Sequence, residues 1–257
     1  MKLINTMIGL TLASVCLGCS TKSEVASVAT EKGFQLTGSL AIQNLKANNE
    51  CQFCDLQKAS FATANLSRSD LSNSNLAGAN LSRANLVSAN LDNVNLSGAN
   101  LTNARLFNAT MSNANLSRAN LNTAHLGQEV TATQTQIEPP TNLSGADLSN
   151  ANLNTSVLYK VDLTGANLSG ADLRNARTVG IKADKANLTN AKLNKADLKN
   201  AVLKGADLSN ANLEDVNLKD ANLEGANLSK ANLTNANLEN AKLKGANLEG
   251  AIGLKGS

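Results

Sequence analysis

A five-residue period governs most of this 257-residue chain. The stretch 75–81 reads NLAGANL, and the pattern Ala-Asn-Leu-x-x continues across 51–251. With Leu as the centre of each unit, the chain contains 37 units, 15 over 56–126 and 22 in a second phase over 143–248. A period of five fits neither an α-helix nor the alternation of a simple strand. The chain is therefore predicted to wind in short extended pieces that are joined by turns.

The residues within a unit predict a core of identical layers. Leu holds 33 of the 37 centres, Ala lies two positions before 28 of them, and Asn or Asp lies between the two in 27 units. Trp is absent, and the chain has one Tyr and four Phe. Aromatic side chains usually fill irregular cores, so two apolar sizes suit a repeated layer. The polar Asn or Asp is expected to point away or to bond the backbone at a bend.

The spacing of glycines predicts the size of a coil. Glycines stand 20 residues apart in each phase, with Lys185 in the one missing place: Gly78 and Gly98, then Gly145, Gly165, Gly205, Gly225 and Gly245. Twenty residues are four units, which indicates a four-sided coil with one Gly-rich corner. Glycine suits a corner that needs a positive φ or a close backbone approach.

These A-(D/N)-L-x-x units resemble those of pentapeptide repeat proteins, over about 200 of the 257 residues. The resemblance implies an all-β fold, a right-handed quadrilateral β-helix of about nine coils, which would be roughly 45 Å long at ~4.8 Å per coil. The sequence Cys51-Gln52-Phe53-Cys54-Asp55-Leu56 also resembles the start of the repeats in exported cyanobacterial-type members, where it follows a short helix.

A short helix is predicted over 39–50, with Ser39 as its N-cap and Leu40, Ile42 and Leu45 facing inward. Its role would be to cap the open backbone and apolar side chains of the first coil. The predicted organisation is a signal peptide 1–18, a flexible tether 19–38, the capping helix 39–50, a first repeat block 51–126, a loop insertion 127–142, a second repeat block 143–252 and a C-terminal tail 253–257.

The first residues are typical of an export signal. Lys2 precedes a short apolar run over 8–15 that is too short to span a bilayer. The sequence CLGCS at 16–20 resembles the lipobox of bacterial lipoproteins, which implies cleavage before Cys19 and a lipid anchor on it. The implied location is the cell envelope, lipid-anchored and facing the periplasm. A secreted or lumenal protein cleaved nearby, and an uncleaved anchor, stay open.

The break in phase predicts a loop over 127–142. The flanking centres are 17 residues apart, two more than a multiple of five, and both prolines of the chain lie here. Because proline cannot donate to a ladder, we expect a loop that leaves one continuous rod; two solenoids joined by a linker are the alternative. If the loop replaces one side of a coil, Gly145 lines up with Gly78 and Gly98, and Ile137 fills the missing side.

Cys51 and Cys54 are the strongest candidates for chemistry. Cys-x-x-Cys can be a redox pair, half of a zinc site or a disulfide. Both residues fall at inward-facing positions of the period, which favours a structural disulfide or buried thiols. We assign no catalytic, cofactor-binding or metal-binding residue, and no role to the single histidine, His125.

Charge is balanced and interspersed, with a formal net value of +3. Binding to nucleic acid by charge alone is therefore not indicated. Two series at 20-residue spacing predict stacked charges that stabilise by about a few tenths of a kcal/mol per pair: Asp184, Lys204, Glu224 and Lys244, and Lys199, Lys219 and Glu239.

The expected function is that of a non-enzymatic, exported, lipid-anchored scaffold or protein-binding module, which uses the 127–142 loop. Its expected partners are an unknown protein, the membrane through the anchor, and a second copy end to end. The alternative is a DNA-mimicking topoisomerase-binding protein. By resemblance, such pentapeptide repeat proteins are acidic, cytoplasmic and rich in Phe at the centres, whereas this chain has one Phe centre, Phe61.

Overall fold

A computed structural model describes residues 36–127 and 140–254. Helix α1 (Gly38–Asn48) precedes a stack of coils, which pair through isolated parallel bridges, each a single residue long. None of the helices in these two ranges has the length and apolar character needed to cross a membrane.

The bridges form four columns, one on each side of the coil. Outside the insertion the bridged residues of a coil are five apart, and most bridges join residues 20 apart in successive coils, as in Asn75 to Asn95 and Asn80 to Asn100. The backbone N–H of Leu76 donates to the Asn95 carbonyl at 2.7 Å, and the N–H of Asn95 donates to the Ser74 carbonyl at 2.9 Å. The four-sided coil of 20 residues that the glycine spacing predicts is therefore present.

Every described corner is a β-turn whose third residue has a positive φ. In the turn that follows Leu76, the N–H of Ala79 donates to the Leu76 carbonyl at 3.0 Å and Gly78 has a φ of 65°. Non-glycine residues adopt the same conformation at other corners, for example Lys58 at 55° and Asn73 at 59°. Positive φ is thus not confined to one Gly-rich corner. A left-handed residue costs on the order of 1 kcal/mol, which the hydrogen bonds of the adjoining coils offset.

The interior consists of the Leu and Ala layers that the period predicts. Leu81, Ala84 and Leu86 are fully buried, as are the corresponding residues of most coils. The Asn side chains face outward, where an amide oxygen such as that of Asn75 accepts the Ala77 N–H of its own turn at 3.2 Å. The layer of the last described coil is only partly buried, and Leu238, Leu243 and Leu248 belong to it.

Helix α1 packs against the first coil, but not in the predicted orientation. Thr37, not Ser39, is the N-cap, and it makes no side-chain capping bond. Ala41 and Leu45 are buried, whereas Leu40 is 40% exposed. Ser39 lies inside α1, which begins at Gly38, so it cannot be the N-cap. Leu40 is exposed because the face that contacts the first coil carries Ala41 and Leu45, four residues apart. Both predictions are wrong.

The loop insertion leaves the rod continuous and every side intact. Across the break, Thr110 bridges Asn142, 32 residues away instead of 20, so the insertion adds 12 residues to one coil. The carbonyl of Ser144 accepts the N–H of Asn113, and Gly145 therefore stacks on Asn113, one corner away from the Gly78 and Gly98 column. The prediction of a missing side is wrong, and its proposed filler, Ile137, lies outside the described residues.

Candidate functional site

Outward-facing Asn and Asp side chains form a column on each side of the rod, and one of these columns has a long interruption. Ten of the 37 units lack Asn or Asp before the centre. Four of these exceptions follow one another in the bridged column that runs through His125, which we call the His125 column: Arg105, His125, Val157 and Arg177.

On both flanks of the interruption, an Asn amide donates to the outward side chain of the neighbouring coil. On one flank, Asn85 Nδ2 donates to Asn65 Oδ1 at 3.0 Å. On the other, Asn217 Nδ2 donates to Asp197 Oδ1 at 2.8 Å. Where Asn and Asp side chains pair along the rod, part of their hydrogen-bonding capacity is used internally. Between these two pairs the surface carries cationic, aromatic and aliphatic groups instead.

Two aromatic side chains border the interruption. Phe107 and Tyr159 are half-buried at the turns that follow Arg105 and Val157. The Arg105 guanidinium carbon lies 5.2 Å from the centre of the Phe107 ring, and the His125 ring meets Phe107 edge-on with 6.3 Å between centroids. Such cation–π and T-shaped contacts restrict the side chains that make them. We call the following residues the patch: Arg105, Phe107, His125, Val157, Tyr159 and Arg177.

Gly127 fixes the place where the insertion leaves the coil, directly beside the patch. Its N–H donates to the Val157 carbonyl at 3.0 Å. A Cβ at this position would lie 2.2 Å from the Tyr159 carbonyl oxygen and 2.4 Å from its nitrogen. Since real Cβ atoms do not approach so closely, the contact between these two coils requires glycine.

The side of the rod that bears the patch is free of acidic residues over six coils. It comprises residues 62–68, 82–88, 102–108, 122–127, 154–160 and 174–180, which we call the basic face. These segments hold no Asp or Glu and six cationic residues: Arg68, Arg83, Arg105, Lys160, Arg174 and Arg177. The same side changes character over 194–200, 214–220 and 234–240, where five acidic residues and three lysines occur.

An open depression of about 590 Å³ lies at one edge of the basic face, and no acidic residue lines it: Arg174, Asn175, Lys192, Asn194, Lys195 and Asn212. Arg174 is partly engaged, since its guanidinium contacts the Asp172 carboxylate at 2.6 Å on the adjoining side. That hydrogen bond is the main reason why the pKa of Asp172 lies below its usual value.

Cys51 and Cys54 are joined in a disulfide inside the first coil. Both are buried, 1% and 0% exposed, and Cys51 Sγ lies 3.3 Å from the Ala41 carbonyl oxygen of α1. A buried disulfide within the first coil suits a structural role better than exchange with an external thiol, which needs access to sulfur. Cys19, the predicted lipidation site, lies outside the described residues.

One predicted charge stack forms an ion pair, with Lys219 Nζ 2.8 Å from Glu239 Oε1. Residues 36–127 and 140–254 contain no group of three or more His, Cys, Asp or Glu side chains that could hold a metal ion.

Sequence reasoning missed the patch and gave His125 no role. The signal was present, since four successive units of one column depart from Asn or Asp. It was hidden because the sequence analysis assumed that the loop replaces one side of a coil. That register would stack His125 on Asn152, whereas His125 bridges Val157 in the structure.

Comparison with solved structures finds several similar repeat proteins. HetL, a pentapeptide repeat protein involved in heterocyst differentiation regulation from the cyanobacterium Nostoc sp. strain PCC 7120, is 31% identical over 91% of this chain and 98% of its own, with a TM-score of 0.43. Rfr23 from the cyanobacterium Cyanothece 51142 is 33% identical over 56% of this chain and 90% of its own, with a TM-score of 0.41. QnrB1, a plasmid-mediated fluoroquinolone resistance protein, is 18% identical over 69% of this chain and 89% of its own, with a TM-score of 0.35.

Among curated proteins the search found no significant match. The family described as pentapeptide repeats matches in eight copies, over residues 50–87, 84–122, 141–177, 184–220 and 217–252. These segments span more than half of the chain, and they coincide with the stacked coils of the structure. The chain therefore belongs to the pentapeptide repeat family.

Proposed function

We propose that this chain is a non-enzymatic, exported solenoid that is tethered by a lipid on Cys19 and binds a protein partner through the basic face. The observation that carries the binding role is the patch, where the regular column of Asn and Asp side chains gives way to Arg105, Phe107, His125 and Tyr159. Arginine and aromatic residues are enriched at protein interfaces. Two of the chain's five Phe and Tyr residues lie in this small area.

The rod supports this role because it holds the patch rigidly. Parallel bridges on both coil neighbours fix His125, to Arg105 on one side and to Val157 on the other. Solenoids bind partners on such extended, preformed surfaces. A rigid surface loses little conformational entropy on binding, which favours affinity.

A pull-down from envelope extracts, followed by mass spectrometry, tests the binding role. The patch variant carries Arg105→Asn, Phe107→Ser, His125→Asn and Tyr159→Ser, residues that the repeat accepts at equivalent positions. A protein retained by the wild type should be lost with this variant. The control variant Arg118→Asn, on another corner, should retain it. Equal capture by all three chains contradicts binding through the patch.

The lipid tether is supported by the lipobox-like sequence at 16–20. Labelling cells with a palmitate analogue should mark the wild type and leave Cys19→Ala unmarked. The wild type should also fractionate with membranes and the variant should not. An unlabelled, soluble wild type would show that the chain is secreted or lumenal without an anchor.

Association of two copies end to end belongs to the same proposal. It is supported by the partly exposed layer of the last described coil, which includes Leu243 and Leu248. Light scattering should give twice the monomer mass for the wild type and the monomer mass for Leu248→Asn. A monomeric wild type contradicts this part.

The DNA-mimicking alternative gains nothing from this surface. A mimic of the phosphate backbone needs a negatively charged face, whereas six coils of the basic face lack acidic residues. Purified protein should leave the supercoiling activity of gyrase unchanged, and inhibition or protection of gyrase would favour the alternative.

A further inference from the structure

We infer that the basic face recognises an acidic, extended segment of a protein, with glutamate or aspartate side chains as the contacting groups. This inference rests on the proposed protein-binding function and specifies its partner. The starting observation is electrostatic. Over six coils the basic face carries Arg68, Arg83, Arg105, Lys160, Arg174 and Arg177 and no carboxylate. Such a one-signed surface attracts and orients a partner of opposite charge.

Aromatic rings support two of the cations in positions from which they can bind carboxylates. The Arg105 guanidinium packs on the Phe107 ring at 5.2 Å, and Lys160 Nζ lies 5.5 Å from the centre of the Tyr159 ring. An aromatic support limits the motion of the side chain while its N–H groups stay available. Guanidinium matches a carboxylate with two parallel hydrogen bonds.

The six cations are spread over six coils that stack about 4.8 Å apart, so an extended chain that lies along the rod passes several of them. The aromatic faces that single-stranded nucleic acids use for stacking are contacted here by Arg105 and Lys160.

The depression at the edge of the face provides a place where such a segment can anchor. Lys192 and Lys195 line it together with three asparagine side chains. The Arg174 guanidinium at its rim already donates to one carboxylate, that of Asp172, at 2.6 Å. This pair shows that a carboxylate in this position is compatible with the local geometry.

Fluorescence anisotropy with a labelled peptide of alternating Glu and Ser tests the inference. The full chain should bind it, bind the matched Gln–Ser peptide at least tenfold more weakly, and lose affinity as salt rises. The cation variant Arg83→Asn, Arg105→Asn, Lys160→Asn should weaken binding about tenfold. Asn suits both corner positions, 83 and 160, whose φ values are 58° and 56°.

A charge-matched control separates the face from the net charge. The variant Arg118→Asn, Lys185→Asn, Lys230→Asn removes three cations from corners outside the basic face and should bind the acidic peptide like the wild type. Equal loss in both variants, or equal binding of the Glu and Gln peptides, overturns the inference. Tighter binding to single-stranded DNA or to phosphatidylserine vesicles than to the peptide also overturns it. If the peptide fails while a partner is still captured through the patch, the proposed function stands and only its acidic partner is refuted.

Discussion

Substituting Gly127 by Ala should destabilise the coils beside the insertion by about 2–4 kcal/mol. The new Cβ would lie 2.2 Å from the Tyr159 carbonyl oxygen, where ordinary contact begins at 3.4 Å. The two backbones must therefore separate by roughly 1 Å, a strain of the kind that overpacked cores show. That movement lengthens the bond from the Gly127 N–H to the Val157 carbonyl beyond its present 3.0 Å and effectively breaks it.

Urea unfolding followed by circular dichroism measures the change, and hydrogen exchange of peptides over 121–127 and 154–160 localises it. Exchange is needed because arrays of repeats do not always unfold in a two-state manner. The control is Gly98→Ala, where φ is 63° and no atom lies within 4 Å of the added Cβ. It should cost at most about 1 kcal/mol. Equal costs for the two substitutions would refute the close-approach argument.

Three other expectations concern the rod itself. Leu148→Ala, in a fully buried layer with a coil on both sides, should lower the free energy of unfolding in urea by about 3–4 kcal/mol. Leu248→Ala, in the partly buried last layer, should lower it by less than half as much, and equal losses contradict the layer argument. Thiol titration of the unfolded, unreduced chain should find neither Cys51 nor Cys54 free, and two free thiols there would exclude the disulfide. Removing the exposed Lys219–Glu239 pair by Lys219→Ala should leave the melting temperature almost unchanged, whereas a loss of several degrees would mean that the pair belongs to a larger network.

The register across the insertion shows how far sequence alone can lead. The spacing of Leu and Ala predicted the five-residue unit, because each unit buries the same two residue types. The spacing of glycines predicted the 20-residue coil. The five-residue period also placed Cys51 and Cys54 correctly in the interior. The period could not predict how the coils align across the insertion, because the 12 added residues carry no repeat that shows which residues of the two blocks stack.

The patch could not be found without that register. Arg105, His125 and Val157 are ordinary exceptions when the chain is read in order, and they become one surface only when the coils are stacked. The orientation of α1 was equally out of reach, because its buried residues Ala41 and Leu45 depend on what the helix contacts.

The sequence by itself thus determined the solenoid, because every five-residue unit buries the same Leu and Ala positions and exposes the same polar ones. The tertiary structure decided which irregular residues become neighbours. Bridges between residues 32 apart set the contacts across the insertion. The backbone hydrogen bonds that stabilise them are available to every residue type, so no side-chain pattern specifies this register.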